Sequence, residues 1–90
     1  MAELVVQLEP DVAAAFRGRA AHPAGDRLRA YLRQSNVVLE PLDPDFDEPP
    51  ISTYFTVHLK DVSLAQRLAA GLLELQGVEA AYVKPGTAAP

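Results

Sequence analysis

The sequence predicts an α+β fold: a ferredoxin-like βαββαβ sandwich, with a four-stranded antiparallel sheet and two helices on one face. Three observations predict it. Glu3–Leu8 and Ser52–Leu59 alternate apolar and polar side chains with a period of two, as half-buried strands do. Leu28, Tyr31 and Leu32, and later Leu64, Leu68, Leu72 and Leu75, recur at helical spacing as the buried stripes of two helices. The signals follow in the order strand, helix, strand, strand, helix, strand, and right-handed crossovers then set both helices on one side of the sheet.

The first strand, Glu3–Leu8, turns Leu4, Val6 and Leu8 one way and Glu3, Val5 and Gln7 the other. Glu9-Pro10-Asp11 ends it, and Asp11 can cap a helix beginning at Val12. The residue types of Ala13–Ala21 favour helix, but Gly18 weakens it and His22-Pro23-Ala24-Gly25 interrupts it, so residues 12–24 are left without a single conformation. A firmer helix follows from about Gly25 to Gln34, with Arg27, Arg29 and Arg33 largely off its apolar stripe, which favours a solvated face over an anion site. Asn36–Leu42 is the second strand, where Pro41 implies an edge or a bend near its end. Asp43–Pro50 is a loop of acids and prolines, and Ser52–Leu59 the third strand, with Phe55, Val57 and Leu59 inward. Ser63 with Gln66 makes a capping-box pattern for a helix to Leu75, and Gly77 supplies a left-handed stop. Val78–Lys84 is the fourth strand. Residues 1–84 are thus one domain, and 85–90 an extended C-terminal tail.

Composition narrows the function classes. Ninety residues, 49% hydrophobic and 22% charged, suit one small globular core. A net charge of −4 argues against a nucleic-acid partner, which requires a basic face. Cysteine is absent, which excludes a disulfide framework. No apolar run reaches the roughly 18 residues of a membrane span, and the first strand follows the initial Met with no room for a signal peptide. A soluble, cytoplasmic chain with no membrane partner is the expectation.

Catalytic and metal chemistry find little support. Asp43-Pro-Asp-Phe-Asp-Glu48 places acids at the first, third and fifth positions of a calcium loop. Glu48 stands where that loop needs glycine, and Tyr54 where it needs a bidentate glutamate. His22 and His58 have no metal partners at ligand spacing, and no phosphate loop or nucleophile elbow occurs. Ser52–Leu59 keeps aromatics but lacks the basic residue and glycine of an RNA-binding strand. No enzyme activity, metal or cofactor is expected. What remains is binding. With both helices on one face, the other presents Val5, Gln7, Tyr54, Thr56 and His58, and either Tyr82 and Lys84 or their neighbours, aromatics among small polar groups. Beyond it runs Pro85-Gly-Thr-Ala-Ala-Pro90, thin enough to lie in another protein's cleft.

The stretch Val78-Glu-Ala-Ala-Tyr-Val-Lys-Pro85, preceded by a helix and a glycine turn, resembles the end of subtilisin-type propeptides, the peptidase-inhibitor domains that precede subtilases. At residue level the resemblance covers about Leu75–Pro85, and in element order most of the chain. It implies the same βαββαβ fold and a partner, a subtilisin-like serine protease bound in cis or in trans. Such propeptides set their open sheet face on two surface helices of the protease, thread the tail through the substrate cleft as a product-like inhibitor, and assist folding. Carried over, Tyr54, Thr56, His58, Tyr82 and Lys84 form the docking face, and Thr87, Ala88, Ala89 and Pro90 the cleft-binding end. The chain departs from that pattern in a longer first connection, Ala15–Asp26, and in a tail ending on proline. A different class stays open beside it: a regulatory or assembly module forming a homodimer through its open face or the edge Ala80-Ala81-Tyr82-Val83, with the tail a linker.

Overall fold

A computed structural model describes residues 2–18, 21–43, 45 and 51–85. Its elements are β1 (Ala2–Leu8), α1 (Pro10–Phe16), α2 (Pro23–Gln34), β2 (Glu40–Pro41), β3 (Tyr54–Leu59), α3 (Val62–Leu73) and β4 (Val78–Pro85), with a short 3-10 turn, Ile51–Thr53, ahead of β3. The strands form one antiparallel sheet in the order β2-β3-β1-β4, compatible with the expected ferredoxin-like arrangement. Each crossover skips one strand, so β1 lies at the centre, paired on both sides.

One face of that sheet carries the core. Leu4, Val6 and Leu8 of β1 and Phe55, Val57 and Leu59 of β3 pack with Val12, Leu28, Leu32, Leu68 and Leu72 of the helices. The alternation read from the sequence therefore sets the inward residues of both central strands. Burying such side chains contributes roughly 1.5–3 kcal/mol each.

Several local expectations are corrected. The first crossover holds two helices, not one, because Pro10 opens α1 and Pro23 opens α2. Gly18, at φ +83°, lies in the turn that ends α1. His22 precedes α2 as its cap, its Nδ1 accepting from the Ala24 N–H at 3.1 Å, so α2 begins before Gly25. Arg29 does not lie on a solvated face. Its Nη2 donates to the carbonyls of Ala15 and Phe16 at 2.8 and 3.0 Å, closing the C-terminal end of α1. Its guanidinium also stacks over Phe16, which meets Phe55 edge to face at 5.3 Å, and Arg17 covers the other ring of that pair.

The second crossover also differs in detail. Asp61, not Ser63, caps α3, its Oδ1 accepting from the Ser63 N–H at 2.8 Å. The buried ridge is Ala65, Leu68, Ala69 and Leu72, whereas Leu64 is 44% exposed. The i, i+3, i+4, i+7 ridge puts alanines where the helix lies close to the sheet. Gly77 does have a left-handed φ of +95°, but α3 ends at Leu73, and Gly77 makes the turn into β4. Its carbonyl accepts from the Glu9 N–H at 2.9 Å, tying that turn to the end of β1. Strand β2 is reduced to Glu40–Pro41, since Asn36 at φ +60° carries residues 37–39 away from the ladder. It does occupy an edge, as Pro41 implied. Of the acid and proline loop, the Asp43 carboxylate accepts from the Asp45 N–H at 3.1 Å, while residues 44 and 46–50 lie outside the described residues.

Candidate functional site: the open sheet face

The face opposite the helices is organised in three cross-strand rows, because directly paired residues share a face. The first row is His58–Glu3–Lys84, the second Glu40–Thr56–Val5–Tyr82, and the third Tyr54–Gln7–Ala80. All five residues expected to form a docking face, Tyr54, Thr56, His58, Tyr82 and Lys84, therefore stand on one surface. They come from two strands that do not touch, since β1 separates β3 from β4. Parity grouped Tyr54, Thr56 and His58, and the pairing of β1 with β4 adds Tyr82 and Lys84 rather than their neighbours.

The interior of this face is drier than its position suggests. Val5 is 1% exposed though it belongs to no helix-side contact cluster, and Thr56 beside it is also buried. Both are enclosed by their neighbours in the sheet. The Thr56 hydroxyl donates to Oε2 of Glu3 at 2.8 Å, which fixes that carboxylate over the centre of the face. Glu3 thus sits between His58 and Lys84, both exposed, with one hydrogen-bond acceptor held in place. Tyr82, at 47% exposure, is the largest apolar group of the face left open to solvent. The surface therefore offers one aromatic anchor beside a dry Val5 and Thr56, edged by a charged row. Such a mixture suits protein contact, where aromatic groups supply area and the polar rim supplies register.

Glu3, Gln7, Glu40 and Ala80 complete the surface. The alternation in the first strand implied Glu3 and Gln7; Glu40 and Ala80 needed the register. Strand β4 is the sheet's long edge, pairing with β1 from Ala2↔Pro85 to Leu8↔Val78 with Glu79 as the extra residue of a bulge. By the alternation of antiparallel hydrogen bonds, Ala80, Tyr82 and Lys84 turn their backbone groups to β1, and Ala81 and Val83 turn theirs outward. The expected cleft-binding residues Thr87, Ala88, Ala89 and Pro90 lie outside the described residues.

Among the described residues, no group of three His, Asp or Glu side chains is placed to hold a metal ion, and no helix is long and apolar enough to cross a membrane. Neither protein-family models, nor curated proteins, nor solved structures give a match to this chain.

Proposed function

We propose that this domain is a non-catalytic binding module of the subtilase-propeptide kind: it sets its open sheet face on a subtilisin-like serine protease and lays residues 87–90 in the substrate cleft. The observation that carries the reading is the placement of Tyr82. It stands half-open on the uncovered face, in the strand whose sequence resembles the propeptide family and whose end leads into the tail. Size supports a two-part contact. Four strands spaced about 4.8 Å apart, crossed by three rows about 6.7 Å apart, give a face of roughly 300–400 Å2. A stable interface buries about 800 Å2 on each partner, so the face alone falls short and the tail would supply much of the remainder. In the proposed complex the tail backbone pairs with strands lining the cleft, and its small side chains cost little sterically.

The test is inhibition of a panel of subtilases by the intact chain, by a chain ending at Pro85, and by a Tyr54→Ala/Tyr82→Ala double variant. Loss of inhibition on truncation, and an affinity weakened by about 2 kcal/mol or more in the double variant, is the expected result. No inhibition by the intact chain overturns the reading.

Strand β4 favours a second reading, a homodimer. An eight-residue edge with the backbone groups of Ala81 and Val83 turned outward, and no charge between Glu79 and Lys84, is a template for pairing with a second copy. Solution molar mass decides. A dimer that survives removal of residues 86–90 but is lost in Ala81→Lys favours this reading over the first.

A further inference from the structure

A cavity lies between the end of α1, one flank of α2 and residues 37–39. Its volume is about 410 Å3, and its walls are Phe16, Leu32, Val37, Val38 and Leu39, with Arg29 and Arg33 along one side. Two features separate it from an ordinary surface hollow. First, Val38 is 74% exposed, the most open large apolar side chain among the described residues, and it sits where β2 was expected to continue. The chain leaves the sheet at Asn36 and presents this valine to solvent. Second, none of the described residues lining the cavity is acidic, although acids outnumber cations twelve to eight in the chain. Arg29 is held rigidly by the α1 carbonyls and the Phe16 ring, and those neutral partners leave its charge uncancelled. Arg33 follows one turn later on the same flank.

We infer that this groove is a second interaction surface, and that its occupant is an extended segment of a partner protein in which acidic and apolar residues alternate. Charge complementarity and spacing carry the assignment. Residues four apart on a helix have Cβ atoms about 5–6 Å apart. Alternate residues of an extended peptide lie about 6.6–6.8 Å apart on the same side. Two acids at i and i+2 therefore meet Arg29 and Arg33, while the residue between them turns to the opposite wall of Val37, Val38 and Leu39. The cavity volume falls in the range of about 300–1,000 Å3 typical of ligand sites. This surface meets the open face at Val38, which also lines a cavity with Glu40 and His58, but it does not depend on the protease reading.

The test uses the full chain and a fluorescein-labelled pentapeptide, Asp-Phe-Asp-Leu-Asp, followed by fluorescence anisotropy. Saturable binding that weakens with added salt is expected, and binding at least about tenfold weaker in both Arg33→Glu and Val38→Asp. Both residues are exposed, so these variants should keep the parent's circular dichroism and melting; the Tyr54→Ala/Tyr82→Ala variant should bind the peptide as the parent does. Equal binding of the lysine counterpart Lys-Phe-Lys-Leu-Lys overturns the inference, as does undiminished binding by both groove variants. So do loss of binding in the sheet-face variant, binding of laurate without binding of the peptide, and a groove filled only by concentration-dependent dimerisation of the chain.

Discussion

The two edges of this sheet were built from sequences of similar β character, yet they differ. Strand β4 is eight residues long and pairs along nearly all of β1, whereas β2 contributes two residues, Glu40 and Pro41, against Thr56 and Phe55. Both stretches are rich in valine and interrupted by a glutamate. What differs is the backing. Ala81 and Val83 of β4 pack onto the helix-side core under α3, and the Gly77 turn fits between Val12 and Ala24. The β2 stretch arrives from a left-handed Asn36, with Leu39 drawn into the core while Val38 points to solvent. An edge strand is held by what packs behind it as much as by its residue types.

The largest expected effect breaks that backing outright. Leu68 is 4% exposed on the ridge of α3, and Leu68→Asp would bury a charge with no partner. The cost is several kcal/mol against the about 5–15 kcal/mol of net stability usual for a domain. Thermal unfolding followed by circular dichroism should show no cooperative transition above room temperature. A melt like the parent's would mean that α3 does not hold β4 through this ridge.

A smaller effect is expected at the entrance to β4. Gly77 has φ +95°, and a Cβ built there would lie 2.7 Å from Cγ2 of Val12. Gly77→Ala combines a left-handed penalty with overpacking and should destabilise by about 1–3 kcal/mol. Val12→Ala in the same chain should recover part of that loss, because it removes the clash and leaves the backbone strain. Additive losses in the urea midpoints of the single and double variants would show that the two residues do not meet.

How much of this was legible depends on the range of the interaction. Parity in Glu3–Leu8 and Ser52–Leu59 fixed the inward residues of β1 and β3, because a half-buried strand writes its environment into every second residue. The same parity grouped Tyr54, Thr56 and His58 on the open face, and chain order made β4 the strand opposite them. The caps were legible only to within two residues: Asp61 and Ser63 are both good cap residues, and the choice turns on backbone angles at the entrance. Leu64 was misread because a leucine stripe takes account of size and not of how closely α3 approaches the sheet; Ala65 and Ala69 mark that approach. The role of Arg29 was hidden because its partners are main-chain carbonyls of α1, which carry no sequence signature. The groove beside it was hidden for a related reason. It joins Phe16, Arg33 and Val38, three segments that local periodicity does not connect.

The smallest effect separates two causes of the short β2. Proline lacks an N–H, and Pro41 could itself end the ladder. The hydrogen bond from the Leu42 N–H to the Tyr54 carbonyl at 3.0 Å argues otherwise. It makes Leu42↔Tyr54 a hydrogen-bonded pair, so by alternation Glu40↔Thr56 is another, and the nitrogen of Pro41 faces away from β3. Proline there withholds a donor only from solvent, which also guards the edge against pairing with other chains. Pro41→Thr should therefore change stability by no more than about 0.5 kcal/mol. The next hydrogen-bonded pair would be Val38↔His58, where the backbone has separated to leave a cavity of about 290 Å3 lined by Asn36, Val38 and His58. Amide exchange at Val38 and His58 should stay as fast in Pro41→Thr as in the parent, because Asn36 and the burial of Leu39, not the proline, carry residues 37–39 out of the sheet. Slowed exchange at both amides would assign the short strand to Pro41, and would show that β2 can close to match β4 when that residue is replaced.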